Sequence, residues 1–161
     1  MLELFGIGVY KPIEGARVGD CAPDFSLRNH DNREVTLKDL IGEKPLVLAF
    51  YPRANSPVCT AQMCSLRDHD AELRLRARVV GISYSDVAAM QRFIKEQALP
   101  MEMLCDTDKS VAKKYGAYGF FAPARVTFVI DGQGVIRAVI SKISAKSHAQ
   151  QVIDALEQAG L

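Results

Sequence analysis

Apolar positions along the chain change period several times, and each change marks an element. In "APDFSLRNHDNREVTL", Phe25 and Leu27 alternate with polar residues and "NHDN" supplies turn formers, which predicts a β-hairpin. "LKDLIG" predicts one short helical turn ending at Gly42. "KPLVLAFY" is a continuous apolar run of strand length, the pattern of a central strand covered on both faces. From Phe50 to Leu73 the pattern predicts a loop and then a helix, with Val58, Met63, Leu66 and Leu73 at roughly helical spacing among charged residues. "ARVVGISYS" predicts another central strand. "DVAAMQRFIKEQ" predicts a helix N-capped by Asp86, with Val87, Met90, Phe93 and Ile94 on its apolar face. "MEMLCD" reads as a short strand and "KSVAKKYGA" as a short helix. "ARVTFVIDGQGVIRAVIS" reads as a hairpin in which Val126, Phe128 and Ile130 alternate. "SHAQQVIDALEQAG" closes as an amphipathic helix capped by Ser147, with Gly160 near its end.

Strand, helix, strand, helix and strand, followed by a hairpin and a last helix, imply a central mixed β-sheet with helices on both faces. With the N-terminal hairpin as an extension, that is an α/β, thioredoxin-like plan. Residues 1–18 show little periodicity and read as a peripheral N-terminal extension. There is no repeat, low-complexity tract or linker, so residues 1–161 are expected to form a single domain. At this length a fold buries roughly 70% of the surface its unfolded chain exposes, and the core needs no covalent staples.

Composition narrows the function mainly by exclusion. Hydrophobic residues make up 48% and charged residues 24%, and the formal net charge is +1. Neither a nucleic-acid surface nor a basic membrane patch is expected. No apolar run approaches the ~20 residues that span a bilayer, and the N-terminus lacks a secretory pattern. The expectation is a soluble, cytoplasmic protein. Its four cysteines then read as buried, metal-bound or catalytic residues rather than structural bridges.

Two of them carry the chemistry of interest. Pro57 suits a first helical turn because its missing N–H would go unused there, and Ser56 precedes it as an N-cap. Cys59 therefore falls where free backbone N–H groups and the positive end of the helix dipole favour a thiolate. Thiolate formation alone gives little. Moving a cysteine from a pKa of about 8.5 to about 6 raises the thiolate fraction roughly 30-fold at pH 7. The accompanying loss of nucleophilicity, with a Brønsted slope of about 0.45, takes back roughly 13-fold. A fast reaction therefore requires donors that stabilise the leaving group.

Cys64 lies five residues further on. On a helix that is about 7.5 Å of rise and about 140° of rotation, placing the Cα atoms roughly 8.6 Å apart. A disulfide needs them within about 7 Å. Either the two cysteines act separately, or the helix unwinds when they join. Cys21 and Cys105 sit near apolar strand neighbours and are expected to be inert core residues. Cys59, Cys64 and His69 match no common zinc spacing, so no metal is expected.

"YPRANSPVCTAQMC" resembles the active-site segment of peroxiredoxins, Pro-x-x-x-Thr/Ser-x-x-Cys, here filled by Pro52, Ser56 and Cys59. "CTAQMCSLRD" is similar to the bacterioferritin-comigratory (Q-type) branch, with its second cysteine five residues after the first. "GDCAPDFSLRNHDNREVTLKDLIG", "DTDKSVAKKYGAYG" and "ARVTFVIDGQGVI" extend the resemblance, in order, from about Arg17 onward. It implies a thiol-dependent peroxidase for hydrogen peroxide and organic hydroperoxides, needing no cofactor. Cys59 would be the peroxidatic cysteine and Cys64 the resolving one, and thioredoxin or a similar dithiol would reduce their disulfide. Arg125 would stabilise the thiolate and the developing charge, and Ser56 would hydrogen-bond the peroxide. Pro52 would shield the pocket and Gln62 would orient the arginine. The branch implies a monomer or a weak homodimer. Ser56 stands where many relatives have threonine, and Val58 where glycine is frequent. Phe120, Phe121 and Pro123 suggest an apolar lip or a packing surface. Two other readings compete: a thioredoxin-like disulfide oxidoreductase, which a Cys-x-x-Cys pair would favour, and a redox-regulated binding protein that exposes Val58, Met63 and Leu66 on oxidation.

Overall fold

The computed structural model describes residues 17–118 and 125–161. The sequence-based readings for residues 1–16 and for the lip residues Phe120, Phe121 and Pro123 lie outside the described residues.

The hairpin forms from β1 (Ser26–Asn29) and β2 (Glu34–Thr36), paired antiparallel. Its turn is fixed locally: Asn29 Oδ1 accepts from the N–H groups of Asp31 and Arg33, and Asn32 takes the left-handed conformation at φ 61°. The short helix α1 (Leu37–Leu40) starts with a reciprocal capping box between Thr36 and Asp39. The central strands are β3 (Leu46–Phe50), β4 (Arg78–Ser83) and β5 (Glu102–Cys105), and the closing hairpin is β6 (Val126–Ile130) and β7 (Ile136–Ile140). They join one seven-stranded sheet in the order β2-β1-β5-β4-β3-β6-β7. The β3–β4 and β4–β5 pairs are parallel, and all other pairs are antiparallel.

Alternate residues of β3 and of the position after it feed two cores. Val47, Ala49 and Tyr51 face α2 (Pro57–Asp68), α3 (Asp70–Arg76), α4 (Val87–Gln97) and α6 (His148–Gln158). Leu46, Leu48 and Phe50 face α1, α5 (Ser110–Tyr115) and the N-terminal hairpin. All five residues of β3 are buried, as its unbroken apolar run predicts. On the second face Tyr115 packs between Phe25, Phe50 and Phe128, with ring centroids 5.2 to 6.2 Å away.

Several expectations need correction. The helix predicted through Leu73 breaks at His69, where the chain turns and restarts as α3. Strand β6 is buried on both faces from Thr127 to Ile130, because Phe128 and Ile130 pack against α1 and α5 and α6 covers its Thr127 and Val129 side. Ser147 does not cap α6 with its side chain. A short 3₁₀ turn (Ala145–Ser147) precedes the helix, and Ser147 Oγ donates to Ser144 Oγ instead. Cys21 is exposed and only its backbone bridges to Val135, so it is not a core residue. Val58 is also exposed, at 52%, because the second position of α2 faces away from the sheet. Cys105 is buried as expected, and desolvation pushes its thiol up to about 11, which makes it inert near neutral pH. Among the described residues, no helix is long and apolar enough to cross a membrane.

Candidate active site

The C-terminal end of β3 delivers the chain into a loop, Pro52 to Ser56, and then into α2. Backbone and side-chain bonds pin that loop to the segment after β4. Tyr84 N–H donates to the Pro52 carbonyl at 3.3 Å, and Ala54 N–H donates to Ser85 Oγ at 2.8 Å. Asn55 supplies the left-handed turn at φ 65°, a conformation asparagine tolerates better than most residues. Ser56 is extended, and Thr60 N–H donates to its carbonyl at 2.8 Å. With Pro57 beginning the helix, the sequence-predicted start of α2 is the one that forms.

Cys59 lies in that first turn and is fully buried. Its N–H donates to Ser56 Oγ at 3.4 Å, a long bond that leaves the hydroxyl hydrogen free to turn elsewhere. Arg125, just ahead of β6, reaches over this helix end. Its Nη1 donates to Cys59 Sγ at 3.2 Å and to Gln62 Oε1 at 2.8 Å. One guanidinium nitrogen therefore binds the sulfur and a buried amide at once. The arginine fixes the amide orientation, since a flipped Gln62 would point donor at donor. Hydrogen bonds thus bring Ser56, Cys59, Gln62 and Arg125 together at the start of α2, while Pro52, half-buried, opens the loop that leads there.

Cys64 faces elsewhere. Its Sγ donates to Gln97 Oε1 on α4 at 3.5 Å, and it is half-buried. His69 Nδ1 lies 3.0 Å from the Ser65 carbonyl, so the Cys59, Cys64 and His69 side chains have separate partners and do not converge.

Behind Arg125 sits a polar cluster the sequence reading did not single out. His148 and Thr127 are buried, with His148 Nε2 2.9 Å from Thr127 Oγ1 and Nδ1 3.1 Å from Gln151 Oε1. Gln151 is oriented by the backbone: Ser144 N–H donates to its Oε1, and its Nε2 donates to the Lys142 carbonyl. Nδ1 of His148 must then carry the proton, and Nε2 accepts from the Thr127 hydroxyl. Burial holds the His148 pKa below its ordinary value, and the nearby charge of Arg125 pushes the same way. The positive end of α6 adds to the bias. The only signal in the sequence was Thr127 standing between valine and phenylalanine in a strand.

An acid-stability prediction follows. Because the folded pKa is depressed, the unfolded chain takes up a proton that the folded chain resists. The stability contributed by neutral His148 is complete above about pH 6.5 and is lost as pH falls from there toward the folded value. Thermal unfolding midpoints measured between pH 7.5 and 5.5 are expected to fall, and His148→Gln is expected to flatten that slope. An equally steep slope in the variant would assign the effect to other groups.

Comparison with known proteins shows the family. Residues 18–139 match the family model described as AhpC/TSA family. Escherichia coli K12 peroxiredoxin Bcp is 34% identical over 151 residues, covering 88% of this chain and 96% of its own. Peroxidoxin BcpB of Mycobacterium tuberculosis superposes with a TM-score of 0.80 at 33% identity, covering 88% of this chain and 96% of its own. The Xanthomonas campestris bacterioferritin comigratory protein shares the fold, with a TM-score of 0.79 at 20% identity over 85% of this chain and 92% of its own. With a helix-start cysteine under an arginine on a mixed, thioredoxin-like sheet, the chain belongs to the AhpC/TSA family, as a Bcp-type peroxiredoxin and hence a cysteine-based thiol peroxidase.

Proposed function

We propose that Cys59 is the peroxidatic cysteine and Cys64 the resolving cysteine of a cycle that reduces hydrogen peroxide and organic hydroperoxides. The observation that carries the reading is Arg125 Nη1 bonded to both Cys59 Sγ and Gln62 Oε1 above the first turn of α2. A guanidinium so placed stabilises the attacking sulfur, and its remaining N–H groups supply the donors that the leaving oxygen needs. Ser56 serves as N-cap at rest and turns its hydroxyl hydrogen to the peroxide. Pro52 shields the site from water, and Gln62 orients the arginine.

In the first step the Cys59 thiolate attacks one peroxide oxygen. An S–O bond forms, the O–O bond breaks, and the other oxygen leaves as water or an alcohol after taking up a proton. Sulfur loses two electrons and the peroxide gains them. The Cys64 sulfur then attacks Cys59, displacing the sulfenic oxygen as water and forming the disulfide before further oxidation. An external dithiol, thioredoxin or one like it, returns both cysteines to thiols by exchange. A reducing cytoplasm fits that last step, and a monomer or weak dimer suffices for it, because both cysteines lie on one helix.

The test is turnover with thioredoxin, thioredoxin reductase and NADPH, using hydrogen peroxide and cumene hydroperoxide in turn. Sustained NADPH oxidation that depends on both peroxide and protein is expected. Reduction of insulin disulfides with no peroxide consumption would replace this reading with a disulfide reductase.

A further inference from the structure

Cys59 and Cys64 can meet only if part of α2 unwinds, and the contacts along the helix are unevenly distributed. In the first turn and a half, Pro57 and Val58 are exposed, Thr60 and Ala61 are half-buried, and Cys59 is the only buried residue before Gln62. That stretch is held by the long Ser56 cap and by Arg125, whose bonds run to Cys59 Sγ and to Gln62. The second half carries buried Met63, Ser65 and Leu66. It is also tied to two other helices. Ser65 Oγ accepts from the Ala149 N–H of α6 at 3.1 Å, across 84 residues of sequence. Arg67 Nη1 donates to the Gln97 carbonyl of α4 at 2.7 Å.

Gln97 occupies both ends of this contact. Its backbone oxygen, one of the last carbonyls of α4 and free of an intrahelical partner, takes the Arg67 guanidinium. Its side-chain oxygen takes the Cys64 thiol. Arg67 is held from its other side by Asp68, with Nε and Nη2 each 2.9 Å from Oδ1. The guanidinium thus sits as a fixed bracket between α2 and α4, one helical turn beyond the resolving sulfur.

We propose that Arg67 is a positioning residue for the resolving step, one that stops the unwinding of α2 short of Cys64 and keeps that thiol in place while the Cys59 end comes to it. The inference rests on the assignment of Cys64 as resolving cysteine. Its functional consequence is a partition. Oxidised Cys59 either meets a stationary thiol and forms the disulfide, or waits and takes a second peroxide to become sulfinic acid. Loosening the anchored half slows the first branch and leaves the second untouched.

Hydrogen exchange on the oxidised wild-type protein reads the stopping point directly. Amides of residues 59–62 are expected to lose protection relative to the reduced protein, while those of residues 65–68 keep it. Equal loss through residues 65–68 would overturn the proposal. Arg67→Ala is expected to slow disulfide formation about fivefold, measured by rapid quench and mass spectrometry, and to raise the sulfinic fraction per turnover by the same factor. The initial rate of Cys59 oxidation should be unchanged. Arg67→Lys keeps a cation within reach of the Gln97 carbonyl and should regain most of the loss. Wild-type partition in Arg67→Ala, or an equal deficit in Arg67→Lys, would overturn the assignment. A wild-type protein that forms no Cys59–Cys64 disulfide at all would instead remove the resolving-cysteine reading on which it rests.

Discussion

Cys59→Ser is expected to lower peroxide turnover by about 1,000-fold or more, to the background set by the reductant alone, with the fold preserved. Cys59 is fully buried and its sulfur receives a hydrogen bond from Arg125, an interaction a hydroxyl oxygen also accepts. Helix α2 keeps its Ser56 and Pro57 start whatever occupies that position. What is lost is the nucleophile, since a serine hydroxyl needs an adjacent base to attack. The side-chain partners of the sulfur are a guanidinium and, through it, an amide, neither of them a base at neutral pH. Peroxide consumption and circular dichroism on the same samples check both halves of the expectation. Residual turnover above a tenth of wild type would move the chemistry to another cysteine.

Arg125→Gln is the second large effect, expected to slow the oxidation of Cys59 by about 100- to 1,000-fold, the range seen when one preorganised charge-stabilising donor is removed. Most of this loss is expected from unstabilised charge on the departing oxygen, where a preorganised donor acts most strongly. The substitution also strands Gln62, whose Oε1 accepts from Arg125 and whose Nε2, though buried, has no partner among the described residues. The rate is read as single-turnover Cys59 oxidation at fixed peroxide. A loss below about fivefold would mean that the guanidinium is structural and that backbone donors alone carry the leaving group.

Much of this is legible in the sequence alone. Strand β3 announced itself because a strand covered on both faces has no polar alternation to confuse it. The start of α2 was written in Ser56 and Pro57, which placed Cys59 in the first turn by local rules alone. Long-range partners were a different matter. Arg125 is 66 residues from Cys59, and nothing local in "PARVTF" says where its side chain points; only the family resemblance paired them. The brackets between Arg67 and Gln97 and between Ser65 and Ala149 were invisible, because helix-to-helix contacts leave no periodic trace in either helix.

The misreadings have physical causes too. Val58 is apolar and at helical spacing, but it stands on the side of α2 away from the sheet and is left in solvent, while Cys59 next to it is buried. An oxidation-driven exposure of apolar surface would therefore have to come from Met63 and Leu66, which are buried. Ser147 looked like a cap because serine favours that role, yet its hydroxyl went to Ser144 in the 3₁₀ turn. The general tendency of cysteine toward burial misleads at Cys21, whose segment is held by backbone bonds to Gly134 and Ile136 while the residue itself stays exposed.

The measurement that goes to the centre is a cysteine map after one turnover. The fully reduced protein receives one equivalent of hydrogen peroxide, is quenched within seconds by an alkylating agent, and is digested for mass spectrometry. A Cys59–Cys64 disulfide with Cys21 and Cys105 still alkylated is the expected result. Cys59 recovered alkylated and unoxidised, with the peroxide unconsumed or another cysteine oxidised in its place, would contradict it.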